Sequence, residues 1–438
     1  MGTASGDDGD RGSPRHRKVP IGAAIVALVP GLLLRLSTPH LPHPLEALLF
    51  GLSIVGAAFI LAWAAEVAQL DISAGAAIAV LAFIAVLPEY AVDLIFAWKG
   101  GNAVEEFGAS CLPPGTTGES PCSLALANMT GANRLLIGVG WSMVVFVAWT
   151  RWRAKRMPDR EIELERSRQV ELSFLVVASL YSLTLPLKRT VSLLDAVILV
   201  GIFVAYTVRI SRAPAEEPHL IGPAGTIGLL PEGRRRATVA IMFLGAGAII
   251  LLCAEPFAEA LVESGKDAGI SEFLLVQWLA PLASETPELL VAGLYAWRLN
   301  TDNGLGTLVS SKVNQWTLLV GTLPIVFAIA SGSLDGLPIL ARQREEILLT
   351  AAQSVFALAI LANLKMSVRE AWALFGLFWA QFVLGAVLPK SAHGAELVAV
   401  SVVYLVLAAG LLVKNRHRLA PLMRDGLRAP YERLLADR

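Results

Sequence analysis

The sequence predicts an all-α polytopic membrane protein of about twelve transmembrane helices, built as two inverted five-helix repeats plus one extra helix at each end. Three observations predict it: a composition too apolar for a soluble chain, uninterrupted apolar runs of bilayer length, and an internal duplication whose unit holds an odd number of spans.

Of 438 residues, 55% are hydrophobic and 16% charged, with a mean hydropathy of +0.61. Soluble domains carry about 25% charged residues, and a core fills long before it hides this much apolar surface. Lipid is therefore the second solvent. Net charge is zero, so only the distribution of charge is informative.

A helix needs roughly 20 apolar residues to cross the hydrocarbon layer, where only helices and closed barrels satisfy their own backbone. Continuous apolar runs, without alternation, exclude a barrel. Candidate spans centre near residues 28, 57, 85, 137, 179, 201, 247, 284, 317, 354, 380 and 405. The first 19 residues are polar, and the apolar run after them is too long and too poorly flanked for a cleaved leader, so it reads as a retained span.

Orientation follows the Lys and Arg residues. They collect between Arg151 and Arg168, at Arg234, Arg235 and Arg236, and in the tail after Lys414. The loop holding Cys111 and Cys122 carries Glu105, Glu106 and Glu119 and almost no base. With twelve spans the basic segments share one side, both termini are cytoplasmic, and the cysteine loop faces the other side. Arg342 and Arg344 are exceptions on the expected outer side. Cys111 and Cys122 pair if that side is oxidising and are free thiols otherwise. Cys253 reads as a small buried hydrophobe.

The duplication relates 45–99 to 237–298. Each passes through a span, a short break (AQLDISAG, KDAGIS) and a helix, with LPEYAVDLIFAW answered by TPELLVAGLYAW. A Gly-interrupted helix follows in each, ALANMTGANRLLIGVGW then GTLVSSKVNQWTLLVG. VELSFLVVASLYSL is then answered by EILLTAAQSVFALA. Five spans per unit force the second copy to insert upside down. The expected organisation is a disordered cytoplasmic N-terminus (1–19), an extra helix (20–37), a first repeat (45–210), a cytoplasmic linker (211–236), a second repeat (237–390), an extra helix (395–415) and a basic cytoplasmic tail (416–438). Inverted repeats are a transporter architecture, with substrate held near the midplane between the copies. A duplicated bundle need not transport anything, so the site residues must carry the argument.

Ionisable residues inside a membrane are expensive, about 2.5–3.5 kcal/mol each on the insertion scale, and are usually retained for function. Here they fall at matching places: Glu89, Asp93 and Arg134 in the first copy, Glu285, Glu288 and Lys312 in the second. Glu89 and Glu288 each follow a proline, which frees a carbonyl upstream. Such carbonyls, with carboxylates, coordinate cations in broken membrane helices. Oxygen-only ligands suit Ca²⁺ or Na⁺, and no His or Cys cluster suggests a softer metal. Locally bonded acids at two proline kinks are the plainer alternative.

The paired Pro-Glu helices with their small-residue partners resemble the cation/calcium antiporter superfamily, which includes sodium/calcium and proton/calcium exchangers, over roughly residues 45–390. Its repeats read G-[ST]-S-x-P-E, then G-N-x-x-G-S-N-x-x-[ND]. In the first copy Pro88, Glu89, Asn128, Gly131 and Asn133 match. Ala85 and Val86 replace hydroxyls, Ala132 a serine, and Leu136 the final amide. In the second copy Ser284, Pro287 and Glu288 match and Glu285 replaces a serine. Thr307, Ser310 and Ser311 are tolerable substitutes, Lys312 replaces an asparagine, and Gln315 takes the last position.

The resemblance implies a secondary antiporter with Glu89 and Glu288 as metal-binding carboxylates. Glu285, Ser284, Asn128, Asn133, Ser311, Gln315 and Asp93 complete the cation site. Because Glu285 and Lys312 occur together, they are expected to pair, with Lys312 standing in for one bound cation. Arg134 either joins it in that role, or snorkels or pairs with Asp93 as plain structure. The six named charges give a formal −2, which suits one divalent ion or two monovalent ones. Two carboxylates close together in a dry site resist joint ionisation, which makes protons credible counter-ions. Glu66, Glu255 and Glu259 read as interfacial. Gln277 and Trp278 read equally as path lining or core.

No Walker loop, GxSxG elbow or soluble catalytic domain is present, so neither ATP-driven pumping nor hydrolysis is expected. Basic connections reflect orientation, not nucleic-acid binding. No cofactor is expected; the partners are small inorganic cations and lipid, and oligomeric state is not legible. Exchange of Ca²⁺ for H⁺ or Na⁺ leads. Sodium/proton exchange, a carboxylate-pair intramembrane enzyme and a non-transporting sensor or scaffold are the competing readings.

Overall fold

A computed structural model describes residues 14–37, 41–71, 87–112, 115, 120–157, 161–213, 220, 222–269 and 272–435. The first half holds α1 (Pro14–Ser37), α2 (His43–Ala68), α3 (Leu87–Phe107), α4 (Pro121–Ala154), α5 (Gln169–Ser182) and α6 (Leu193–Ile210). A short α7 (Pro223–Gly228) leads into the second half. There α8 (Glu232–Ala268), α9 (Glu272–Trp297), α10 (Thr301–Ser331), α11 (Ala341–Leu361) and α12 (Val368–Val387) follow. The chain ends in α13 (His393–Lys414), α14 (Arg416–Arg428) and α15 (Tyr431–Leu435).

The chain is an all-α polytopic membrane protein. Among the described residues eight helices are long and apolar enough to cross a bilayer: α1, α2, α4, α6, α8, α10, α13 and the segment 166–187 around α5. A dozen spans is reached only if α3, α9, α11 and α12 cross as well. Two of these, α3 and α9, hold the candidate acids, which lowers their hydropathy. The span expected near residue 85, the break at 72–75 and the replaced hydroxyl positions Ala85 and Val86 lie outside the described residues.

Burial sorts the helices into layers. In the most apolar stretch, 78% of α4 and 67% of α2 and of α10 is buried, against 17% for α1, 28% for α6 and 33% for α8 and α13. The second group presents large apolar side chains outward, such as Val26, Val204, Leu244 and Val406. Such a belt has the character of a surface that faces the hydrocarbon of a bilayer. The first group forms the centre.

Contacts recur with the halves exchanged. α4 packs on α9, α11 and α12, while α10 packs on α3, α5 and α6. Two-residue strands do the same: β1 (Ile162–Glu163) pairs antiparallel with β4 (Lys365–Met366), and β2 (Thr190–Val191) with β3 (Leu337–Pro338). Capping boxes open counterpart helices, Ser192 with Asp195 at α6 and Ser367 with Glu370 at α12. In each, the hydroxyl accepts from the third backbone N–H and the acid returns the bond. This reciprocity is the packing expected of two copies about a two-fold axis.

Outside the bundle, Asp71 just beyond α2 accepts from Arg235 at 2.7 and 2.8 Å and from Arg236 at 3.2 Å, both at the start of α8. The Arg235 bond holds the Asp71 carboxyl below its ordinary range. The fork is therefore intact at neutral pH and fades only as pH falls through that lowered value. Cys111 and Cys122 form a disulfide that joins the end of α3 to the start of α4. α1 begins at Pro14, earlier than the residue 20 expected from hydropathy. The tail expected as a basic extension is helical and folds back: Ser173 donates to the Leu422 carbonyl at 3.1 Å, and Arg209 to that of Gly426 at 3.2 Å.

Candidate cation-binding site

Four helices bring the candidate residues together: α3 with Glu89 and Asp93, α4 with Asn128, Asn133 and Arg134, α9 with Ser284, Glu285 and Glu288, and α10 with Ser311, Lys312 and Gln315. The helices expected to break at glycines stay continuous, and each contains one π turn, Leu136–Trp141 in α4 and Gln315–Leu319 in α10. A π turn inserts an extra residue and redirects the side chains around it, often at functional sites.

Gln315 opens the second π turn and spans the two halves. Its Nε2 donates to Glu285 Oε1 at 2.5 Å and to Glu89 Oε2 at 3.2 Å. The Glu285 carboxyl lies within hydrogen-bonding reach of both Glu89 and Glu288, so it stands between the two acids expected to meet. Ser311 Oγ donates to Glu288 Oε2 at 2.8 Å. Asp93 Oδ1 accepts from Asn128 Nδ2 at 2.7 Å. Glu89, Asp93 and Glu285 are buried, and Glu288 is partly so. Among the described residues, Glu89 Oε1, Glu285 Oε2, Asp93 Oδ2, Asn128 Oδ1 and Gln315 Oε1 have no hydrogen-bond donor. Buried acceptors left this way favour a proton or a cation beside them.

The expected Glu285–Lys312 pair does not form. The Lys312 ammonium, 0% exposed, instead donates to the backbone carbonyl of Asn133 at 2.7 Å and to its Oδ1 at 2.6 Å. The physical reason is Gln315, which takes Glu285 Oε1 and leaves Asn133 as the nearest pair of carbonyls. Lys312 and Asn133 hold equivalent places in the two motifs, so the contact joins counterpart residues of α10 and α4. Asn133 Nδ2 donates to Met129 O at 2.8 Å, which fixes the amide with its oxygen toward the ammonium.

Arg134 does not pair with Asp93 either. It faces away from the carboxyls, onto Glu346 Oε2 of α11 at 2.8 Å, and lies 4.9 Å from the Trp278 ring centre. That self-neutralising pair removes Arg134 from the site. Glu89, Asp93, Glu285 and Glu288 then face one buried ammonium, a formal −3. Ser284 Oγ turns back along α9 to Ala280 O and Pro281 O, 3.3 Å each. α9 runs unbroken through Pro287. Gln277 Nε2 donates weakly to Thr130 Oγ1 at 3.4 Å, and Trp278 is the platform under Arg134. Glu259 is exposed and pairs with Lys99 at 2.7 Å.

Sequence reasoning missed Glu346. Its signal was available: Glu171 on α5 and Glu346 on α11 stand at the same distance before the matched capping boxes. Both are buried, and both take an arginine, Arg168 for Glu171 at 3.3 Å.

Gly131 permits the close crossing of α4 and α9, because a Cβ there would run into the backbone carbonyl of Gln277. Gly131→Ala is therefore expected to part the two helices at the site. Overpacking of this kind is worth about 1–3 kcal/mol, read as a lower thermal midpoint of the purified protein. An unchanged midpoint would contradict the close crossing.

Among the described residues no cluster of three or more His, Cys, Asp or Glu forms a ready metal cage. A cation here would draw on amide, carbonyl and water oxygens beside the carboxyls, as hard ions do.

The family model described as sodium/calcium exchanger protein matches residues 45–211 and 238–386. No curated protein matches the chain. A solved structure described as the H⁺/Ca²⁺ exchanger CAX is 40% identical, superposes with a TM-score of 0.84, and is matched over 96% of this chain and 99% of its own. Native YfkE is 14% identical with a TM-score of 0.58, over 89% of this chain and all of that one. Selenium-substituted YfkE, described as a Ca²⁺/H⁺ antiporter protein, is 14% identical at 0.55, over 91% and 99%. The two YfkE structures share the fold.

Proposed function

Because the chain belongs to the sodium/calcium exchanger protein family, whose members are secondary transporters and not enzymes, we propose that it exchanges Ca²⁺ for H⁺ by alternating access, with Glu89 and Glu288 as the midplane carboxylates. The observation that carries this reading is the carboxyl string Glu89–Glu285–Glu288, contributed by both halves and bridged by Gln315. Hard divalent ions take six to eight oxygens with carboxylates among them. The unpartnered oxygens of Glu89, Glu285, Asp93, Asn128 and Gln315 supply candidates for that shell.

Protons fit the exchange better than sodium. Sodium sites need neutral oxygens, and here Leu136 has lost its amide while both Asn133 carbonyls serve Lys312. That ammonium takes the place of one monovalent cation. A formal −3 in low dielectric must be neutralised. Three protons do this in one state; Ca²⁺ with one retained proton does it in the other. The difference is one Ca²⁺ against two protons. The 40% identical relative is itself described as an H⁺/Ca²⁺ exchanger.

Both termini belong to the cytoplasm of a plasma membrane in this reading: twelve spans would put the basic segments on one side and the Cys111–Cys122 loop on the other, and a disulfide there suits an oxidising compartment. In everted vesicles, Ca²⁺ is expected to dissipate a preformed proton gradient, and Na⁺ is expected to leave it intact. A gradient that Na⁺ collapses and Ca²⁺ does not would replace this reading with sodium/proton exchange.

A further inference from the structure

A crevice of about 660 Å³ between α2, α8 and α9 takes no part in the cation site. Pockets for small molecules run from about 300 to 1,000 Å³. Each helix gives the crevice one stripe at helical spacing, over residues 44 to 55, 257 to 268 and 275 to 286. Leu48 and Leu52 on one rim and Leu279 and Leu282 on the other are exposed, so it opens sideways onto the apolar surface of the bundle. Phe257 and Leu261, both buried, form its floor. One wall is the back of the site helix. Thr286 lines the crevice, whereas Ser284 and Glu288, two residues either way and so about 200° round α9, belong to the cation site.

The walls specify hydrocarbon. Ser264 and Thr286 carry the hydroxyls on them, and each donates to a carbonyl of its own helix, Ala260 and Leu282. Every other lining side chain is aliphatic or aromatic, or missing as at Gly51. Ions and water therefore find no side chain to bond, and cavities of this kind stay dry. Length narrows the occupant further. Each stripe covers eleven residue steps, about 16 Å of helix, against about 15 Å for half of a hydrocarbon core. At one end, beside Pro44 and Ala268, stand the pairs His43–Asp267 and Lys266–Glu263, both at 2.6 Å. Charged groups are costly inside hydrocarbon, so this end lies at headgroup level. The other end, at Val55, Phe257 and Thr286, lies at the depth of Glu285 and Glu288. The crevice has the length of one leaflet.

We propose that this crevice binds one acyl chain of a membrane phospholipid, with the headgroup at the His43–Asp267 end. Lipid tails are as apolar as leucine, so a chain enters without a desolvation cost. What it gains is contact. Walls without partner atoms forfeit dispersion energy, and here three helices supply them. The bound chain lies against the outer face of α9 and fills the space between that face and the pair α2 and α8. The assignment does not depend on which ions the cation site exchanges.

Native mass spectrometry of the full-length protein, released from dioleoyl phosphatidylcholine nanodiscs into mild detergent, tests this. Wild type is expected to keep one phospholipid after the surrounding molecules have been stripped. Ser264→Phe and Ala283→Phe, each of which puts a ring into the crevice, are expected to lose it. Leu244→Phe, on the exposed surface of α8 outside the crevice, is expected to keep it. A second measurement needs no variant. In crystals of the wild type grown with phosphatidylcholine brominated in mid-chain, a bromine peak is expected between the two rims, beside Leu52 and Leu282. The proposal is overturned if the wild type retains no phospholipid, if both crevice variants retain it, or if the crevice holds no bromine. A dimer that both crevice variants dissociate would also overturn it, in favour of a second copy of the chain.

Discussion

Glu288→Gln is expected to abolish Ca²⁺-dependent proton movement while leaving the protein folded. Glu288 is the least enclosed of the three linked carboxyls, and Ser311 Oγ fixes its orientation at 2.8 Å. An amide keeps that bond and the volume but withdraws one negative charge from the calcium shell. Removing one partner of a buried charge pair costs about 3–5 kcal/mol, which as binding energy is about two to four orders of magnitude in affinity. Glu89→Gln is expected to do the same from the other half, because Gln315 bridges to it. If both variants transport at the wild-type rate, the site lies elsewhere.

The second large effect is expected at Lys312. In Lys312→Asn the ammonium that now occupies the two Asn133 carbonyls is gone, and those oxygens become free to receive a mobile cation. The site also becomes one unit more negative. Exchange in the variant is therefore expected to require Na⁺, or an additional proton, where the parent does not. Loss of a buried, fully bonded charge perturbs packing too, so the informative quantity is the dependence on Na⁺ at fixed Ca²⁺. An ion dependence identical to the parent would refute the tethered-cation account.

Much of this was legible in the sequence because lipid enforces it. Apolar runs announced the helices, and matched acids at 89, 93, 285 and 288 pointed to the candidate site, since a charge in hydrocarbon is too costly to be incidental. Partners were harder to read. Side-chain direction decided them, and the π turns altered that direction. Gln315, expected only as a final ligand, became the bridge between halves, displaced Lys312 from Glu285 and sent it to Asn133. Arg134, one residue along from Asn133 and so turned about 100° round α4, met Glu346 instead of Asp93. Hydropathy also obscured the ends. It marked 14–19 and the chain beyond 416 as polar extensions, whereas α1 begins at Pro14 and α14 packs through Leu422 against α5.

Proton release on calcium binding measures the exchange at its source. Calorimetric titration of Ca²⁺ into the purified protein, in two buffers of different ionisation enthalpy, is expected to reveal about two protons released per Ca²⁺ bound, as charge balance in a dry site requires. That release should vanish with binding in Glu89→Gln. Calcium binding without proton release, or undiminished binding in Glu89→Gln, would contradict an ion shared between the acids of the two halves.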